Sequence, residues 1–229
     1  DLDDYVSQQS LKENDIQNLF IQMVKGLSYL HSEKILHRDI KPPNFLLKNG
    51  IIKLADYGIS KEINKEDITK NTANVGTPGY AAPEVLVDKV NEIGHYSYPA
   101  DIFSLGVTLY YMYAKGSPWN IEFYIPTSIK NHYSERLSMK EKFFDGIPVK
   151  MSEEAKDLIL RMLCQDKTKR ITISEIESHP YVKFFKFNEA FEKKIEEIGV
   201  LHKNMKSIYE FHQFCPDAVL FNQVMLLLC

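Results

Sequence analysis

Between Ile102 and Tyr113 the chain carries only two polar side chains, Ser104 and Thr108. A run of this length exceeds a strand and matches a helix, and a helix that is apolar nearly all round has to be buried. The rest of the chain must therefore be wrapped around it. The means are present: 229 residues, 44% hydrophobic and 26% charged, are the composition of an ordinary globular protein.

Other segments read as the wrapping. Between residues 11 and 30, Ile16, Leu19, Phe20, Met23, Val24, Leu27 and Leu30 recur at three-and-four spacing, which predicts an amphipathic helix. Ser10 followed three residues later by Glu13 is the pattern of a capping box at its start. Ala155, Leu158, Ile159, Met162 and Leu163 predict a helix over 152–163, and Ser174 to Glu177 a short one ending before Pro180. Phe45–Leu47 and Ile51–Leu54 flank Asn49-Gly50, a pair suited to a tight hairpin turn, so a small β-ribbon is expected there. Ser60 to Pro83 is polar and aperiodic, with Gly76, Pro78 and Gly79 as punctuation, and reads as a long surface loop. Residues 187–229 read as a helical extension to a domain over 1–186. The fold class is mainly α with one small β-ribbon.

Charge and cysteine usage narrow the function classes. Lys+Arg 28 against Asp+Glu 31 leaves a net charge of -3, which argues against general binding to nucleic acid or an acidic membrane. Cys164, Cys215 and Cys229 form no CxxC pair, so neither a disulfide framework nor a zinc site is expected, and a cytosolic or nuclear setting fits. No apolar stretch approaches the roughly 18 residues of a transmembrane helix.

Chemistry concentrates in His37-Arg38-Asp39-Ile40-Lys41-Pro42-Pro43-Asn44, just before the ribbon, and Asp56-Tyr57-Gly58, just after it. An acid, a lysine, an amide and a second acid on loops joined by a short ribbon suit phosphoryl transfer from a magnesium nucleotide. An acceptor hydroxyl needs a base, the phosphate needs a cation, and the metal needs hard oxygen ligands. Asp39, Lys41 and the pair Asn44 and Asp56 supply these in turn.

These motifs resemble those of the eukaryotic protein kinases, with their H-R-D-L-x-x-x-N and D-F-G sequences. Gly76-Thr77-Pro78-Gly79-Tyr80-Ala81-Ala82-Pro83-Glu84 is similar to the end of a kinase activation segment. Asp101-Ile102-Phe103-Ser104-Leu105-Gly106 resembles the start of the buried helix that anchors the catalytic loop, and His179-Pro180-Tyr181 the close of the domain. Lys41 and Gly76-Thr77 resemble the serine/threonine branch.

The resemblance implies a kinase C-terminal helical lobe, with the ribbon carrying the catalytic loop and the D-Y-G motif. Asp39 is then the base or hydroxyl-orienting group, Lys41 the phosphate contact, and Asn44 and Asp56 the Mg2+ ligands that help hold ATP. Arg38 is implied to clasp a phosphate on the activation segment at Thr72, favoured over Thr69, placed there by an upstream activating kinase. Thr77 is implied to shape the acceptor pocket, Glu84 to pair with Arg170, and Asp1 to lie near the ribose. Protein substrates are the implied partners.

Some positions carry a second reading. Asp101 fits either the anchor role or a plain N-terminal cap of its own helix. Glu84 and Arg170 fit either a pair or two solvated charges. His37 reads as structural. Tyr57 replaces the usual Phe, Pro43 a glutamate common where basic targets are preferred, Phe103 a Trp and Lys167 a Pro. No G-x-G-x-x-G loop or V-A-I-K strand occurs in the chain, so it reads as a kinase piece lacking the N-terminal lobe, and a poor binder of ATP alone. A pseudokinase or scaffold lobe used for protein binding is the alternative; retention of Asp39, Lys41, Asn44 and Asp56 argues against it.

Overall fold

The computed structural model describes residues 1–56, 61–62, 76–86, 96–119, 126–139 and 142–185. The apolar run forms most of α3, Tyr98–Ala114. Its residues from Ala100 to Tyr113 are all buried except Tyr111, which is half-buried. Each fully buried large apolar side chain here contributes about 1.5–3 kcal/mol. The helix begins earlier than its apolar pattern, because Pro99 in the first turn has its φ already set for a helix. It ends where Lys115 turns left-handed at φ 54°.

Around α3 lie α1 (Leu2–Gln8), α2 (Glu13–Ser32), α4 (Pro126–Ser138), α5 (Glu153–Met162), α6 (Ile173–Ser178) and α7 (Pro180–Lys183). The seven apolar residues predicted for α2 are all buried, against α3, α6 and the ribbon. At Gly106 in α3 the approach of α5 is so close that a Cβ would stand 2.7 Å from the Met162 Cβ. Trp119 meets Tyr133 at 4.1 Å between centroids with the rings tilted by 34°, lies parallel to Phe103 and packs near Phe143, joining α4 to the same core.

Two ribbons complete the fold. β2 (Phe45–Lys48) and β3 (Ile51–Leu54) pair antiparallel, with Phe45 opposite Leu54 and Lys48 opposite Ile51. Asn49 and Gly50 both take positive φ, 53° and 79°, as a two-residue hairpin turn requires. β1 (Ile35–Leu36) pairs antiparallel with β4 (Lys61–Glu62).

Two expectations are corrected, and one of the two readings of Asp101 is ruled out. Ser10 does not cap α2: Leu11 is buried, so the chain runs two residues further before turning at Lys12, whose N–H donates to the Asp15 carboxylate at 2.9 Å. Glu13 is used elsewhere; its Oε1 accepts from Ser152 N at 2.9 Å, Ser152 Oγ at 2.7 Å and Tyr113 OH at 3.0 Å, tying α2 to α3 and α5. The stretch 60–83 is not loop and surface throughout, since Lys61–Glu62 is a strand and Ala81 and Ala82 are buried with Val85 and Leu86. Their small apolar side chains fit against the core where the Gly and Pro punctuation reads as exposed turn. Asp101 does not cap its own helix; Ser97 holds that position and Asp101 lies in the first turn. The proposed extension 187–229 lies outside the described residues, and among those described no helix is long and apolar enough to cross a membrane.

Candidate active site

After β1 the chain passes through His37–Lys41 and enters a single 3₁₀ turn, Pro42–Asn44, where two prolines pre-set the backbone. Ile40 is buried and fastens the segment to the core. The conformation is held by one carboxylate. Asp101, wholly buried, accepts from His37 N at 3.0 Å and His31 Nε2 at 3.0 Å on Oδ2, and from Arg38 N at 3.0 Å and Tyr96 OH at 2.8 Å on Oδ1. Instead of capping its own helix it caps a distant loop. Burial pushes this carboxyl up, but the His31 hydrogen bond and the charges and amides around it win and hold it below 3.8. Arg38 can then sit at φ 73°, a left-handed backbone that a side chain ordinarily avoids.

His37 is fully buried. Its Nδ1 accepts from Asp39 N at 3.3 Å, which leaves Nε2 to carry the proton and donate to Ala55 O at 2.9 Å. Burial lowers its pKa, against the pull of Asp101 and other acids, so the ring is a neutral spacer between the loop and the end of β3.

Three predicted site residues, Lys41, Thr77 and Asn44, converge on the carboxylate of a fourth, Asp39. Lys41 Nζ lies 2.6 Å from Oδ2 and donates to Thr77 Oγ1 at 2.8 Å; Thr77 in turn donates to Asp39 Oδ1 at 2.8 Å. Asn44 Nδ2 donates to Asp39 O at 2.7 Å and to Oδ2 at 3.0 Å. Both of those partners are acceptors, so the amide nitrogen must face Asp39 and Asn44 Oδ1 is turned the other way. Burial would raise the Asp39 pKa; the Lys41 and Thr77 hydrogen bonds, the Lys41 charge and Asn44 outweigh it and hold the acid below 3.8.

Asp56 joins this group through the ribbon. Asn44 O accepts from Ala55 N at 2.8 Å, extending the β2–β3 ladder by one pair and placing Asp56 next in line, exposed and at φ 63°. Asn44 and Asp56 offer an amide and a carboxylate oxygen, the hard donors that Mg2+ takes one or two at a time while keeping waters and phosphate oxygens. Among the described residues no cluster of three or more His, Cys, Asp or Glu side chains could hold a metal.

The far side of the site is a turn. Thr77 O accepts from Tyr80 N at 3.1 Å and Ala81 N at 3.2 Å, while Ser104 Oγ and Tyr133 OH donate to Tyr80 O and Ala81 O at 2.8 and 3.2 Å. Gly76, at φ 101°, is where this segment crosses the His37–Lys41 loop; a Cβ there would meet Arg38 O at 2.9 Å. Behind it Arg170, whose side chain is fully buried, forks onto Glu84 at 2.6 and 3.0 Å. The same guanidinium donates to Pro99 O at 2.6 Å and Cys164 O at 2.8 Å and lies over the Phe103 ring at 5.0 Å. These are not two solvated charges.

Tyr57, Gly58, Thr69 and Thr72 lie outside the described residues. Nothing in the sequence marks His31 or Tyr96 as partners of this site. The signal available was weak: His31 stands just past Leu30, the last residue of the α2 stripe, and nothing local pairs it with Asp101, 70 positions on.

A protein kinase domain family model matches residues 1–182. The chain is 37% identical over 186 residues to the probable serine/threonine-protein kinase fhkE of Dictyostelium discoideum, covering 79% of this chain and 25% of that protein. It is 35% identical over 187 residues to the SNF-related serine/threonine-protein kinase of Homo sapiens, covering 80% and 22%. A probable serine/threonine-protein kinase of Saccharomyces cerevisiae is 36% identical over 225 residues, 96% of this chain and 14% of that protein. The chain spans a quarter or less of the length of these relatives.

Proposed function

The chain belongs to the eukaryotic serine/threonine protein kinases, and from that premise we propose that it is the larger helical lobe of such an enzyme, transferring the ATP γ-phosphoryl group to Ser or Thr hydroxyls of proteins. One observation carries the reading. The Asp39 carboxylate is held ionised where Lys41, Thr77 and Asn44 meet. A pure binding module has no chemical use for a carboxylate so equipped.

A carboxylate has about four acceptor positions. Two on Oδ2 are filled by Lys41 and Asn44 and one on Oδ1 by Thr77, which leaves one on Oδ1. That position is assigned to the acceptor hydroxyl: Oδ1 would orient the O–H and take its proton as the oxygen bonds to the γ-phosphorus and the bond from that phosphorus to the departing ADP breaks. Lys41 holds a positive charge beside the base, where the γ-phosphate would arrive. Asn44 Oδ1 and the Asp56 carboxylate would hold Mg2+. Magnesium-bound ATP, when present, supplies the phosphoryl group and a metal that offsets the charge on its oxygens. Arg38, beside Asp39, is the proposed clasp for a phosphate placed on Thr72 by an upstream kinase.

Asp39→Asn in the full-length protein is the test, assayed with ATP, Mg2+ and a generic protein substrate. Phosphate incorporation should fall by about 10²-fold or more, the lower range for loss of a positioned general base, with the urea transition retained. Unchanged incorporation overturns the assignment.

A further inference from the structure

Gln22 is the polar residue that the α2 pattern leaves unexplained. It sits between Ile21 and Met23 on a buried part of the helix and is itself buried. An amide in such a place is costly unless its hydrogen bonds are made. Here they are made to the hairpin. Nε2 donates to Gly50 O at 3.1 Å and to Asn18 Oδ1 at 2.7 Å, while Oε1 accepts from Ile52 N at 3.0 Å. One side chain therefore replaces a missing neighbour strand at the turn end of β3.

A two-stranded ribbon of four residues a side is marginal by itself: its turn sets the register, but keeping the ladder closed along its length needs outside support. The ladder matters at the other end, about 13 Å away at roughly 3.3 Å per residue, where Asn44 faces Ala55 and Asp56 follows. We propose that Gln22 is a positioning residue for the metal site: by clamping Gly50 and Ile52 it fixes the ladder, and the ladder fixes the spacing of Asn44 from Asp56. The inference rests on the Mg2+ assignment made above for those two residues.

The experiment uses the full-length protein with Mn2+·ADP as the probe, bound Mn2+ being followed by electron paramagnetic resonance, together with hydrogen exchange over residues 45–54. Gln22→Leu should weaken Mn2+·ADP binding by about threefold, less than the roughly tenfold lower end for losing a partner bonded directly to a ligand, and speed exchange in the ribbon more than in α3. Gln22→Glu separates the clamp from mere packing. At pH 8 its carboxylate faces the Gly50 carbonyl and binding should match the Leu variant. Toward pH 5.5 a buried carboxyl takes up a proton, regains the donor, and the ratio to wild type should narrow. The Glu variant also serves if the Leu variant does not fold. A lower urea midpoint with unchanged Mn2+·ADP affinity in the folded protein reduces Gln22 to a stability role and overturns the proposal. Wild-type binding that ignores Asn44→Ala and Asp56→Asn overturns the metal assignment, and the inference with it.

Discussion

Asp101→Asn removes one oxygen from a carboxylate that accepts four hydrogen bonds, two on each oxygen. Whichever way the new amide is turned, its NH₂ faces a backbone N–H: that of His37 if it replaces Oδ2, that of Arg38 if it replaces Oδ1. His31 or Tyr96 can reverse its role and accept, but a backbone N–H cannot. The orphaned buried donor costs about 1–3 kcal/mol, and losing the charge from the remaining bonds about 1.5–3 kcal/mol more. The sum, about 2.5–6 kcal/mol, brackets the roughly 3–5 kcal/mol that breaking a buried charged network costs, and the loss is expected within that narrower range. Against a total of about 5–15 kcal/mol the protein still folds, closer to its limit. In urea at pH 7, with a slope of about 2 kcal/mol/M, the midpoint should fall by about 1.5–2.5 M. The pH dependence gives a second reading. A carboxyl held below 3.8 contributes stability that is fully present above that pH and is lost as pH falls through its lower folded value. The variant lacks this contribution, so the two proteins should converge below about pH 4. A loss under about 1 kcal/mol at pH 7, or a gap that stays constant into acid, would refute the reasoning.

Gly76→Ala sets a methyl group 2.9 Å from Arg38 O at a φ of 101°, and should cost about 1–3 kcal/mol; a variant with wild-type melting and wild-type phosphate incorporation would show that the crossing is looser than described. Arg170→Lys keeps the charge but loses the fork onto Glu84 and the bonds to Pro99 and Cys164. A lysine cannot reproduce that planar set, so urea unfolding should show a loss of about 2–4 kcal/mol, and a change within 0.5 kcal/mol of zero, the range of ordinary surface substitutions, would count against a buried role.

Local pattern predicted what local physics decides. The run 102–113, the stripe of α2, the Asn49-Gly50 turn and the 152–163 spacing all correspond to elements found, because periodicity and turn chemistry need no knowledge of the rest of the chain. Contacts at long separation were not legible in the same way. Asp101 and Ser10 both carry plausible capping signals, yet one serves a loop 63 residues upstream and the other is exposed, ahead of a buried Leu11 that moves the start of α2 to Lys12. Gln22 gives no sign of its partners, since a lone amide in a helix looks the same whether it meets water or a hairpin 28 residues on. The loop from His37 to Asn44 was readable as chemistry from its residue types, with individual roles supplied by resemblance; its left-handed Arg38 and neutral His37 follow from tertiary bonds and burial.

The absence of a side chain at Gly106 reaches beyond packing. With no room for even a methyl group against Met162, α3 and α5 have no sliding layer between them. The Glu13–Ser152 bonds then couple the start of α2 to the same junction, and α2 carries the clamp on the ribbon. Helix α5, the middle of α3 and the start of α2 therefore meet in one closely packed junction, from which α2 leads on to the ribbon that carries Asp56.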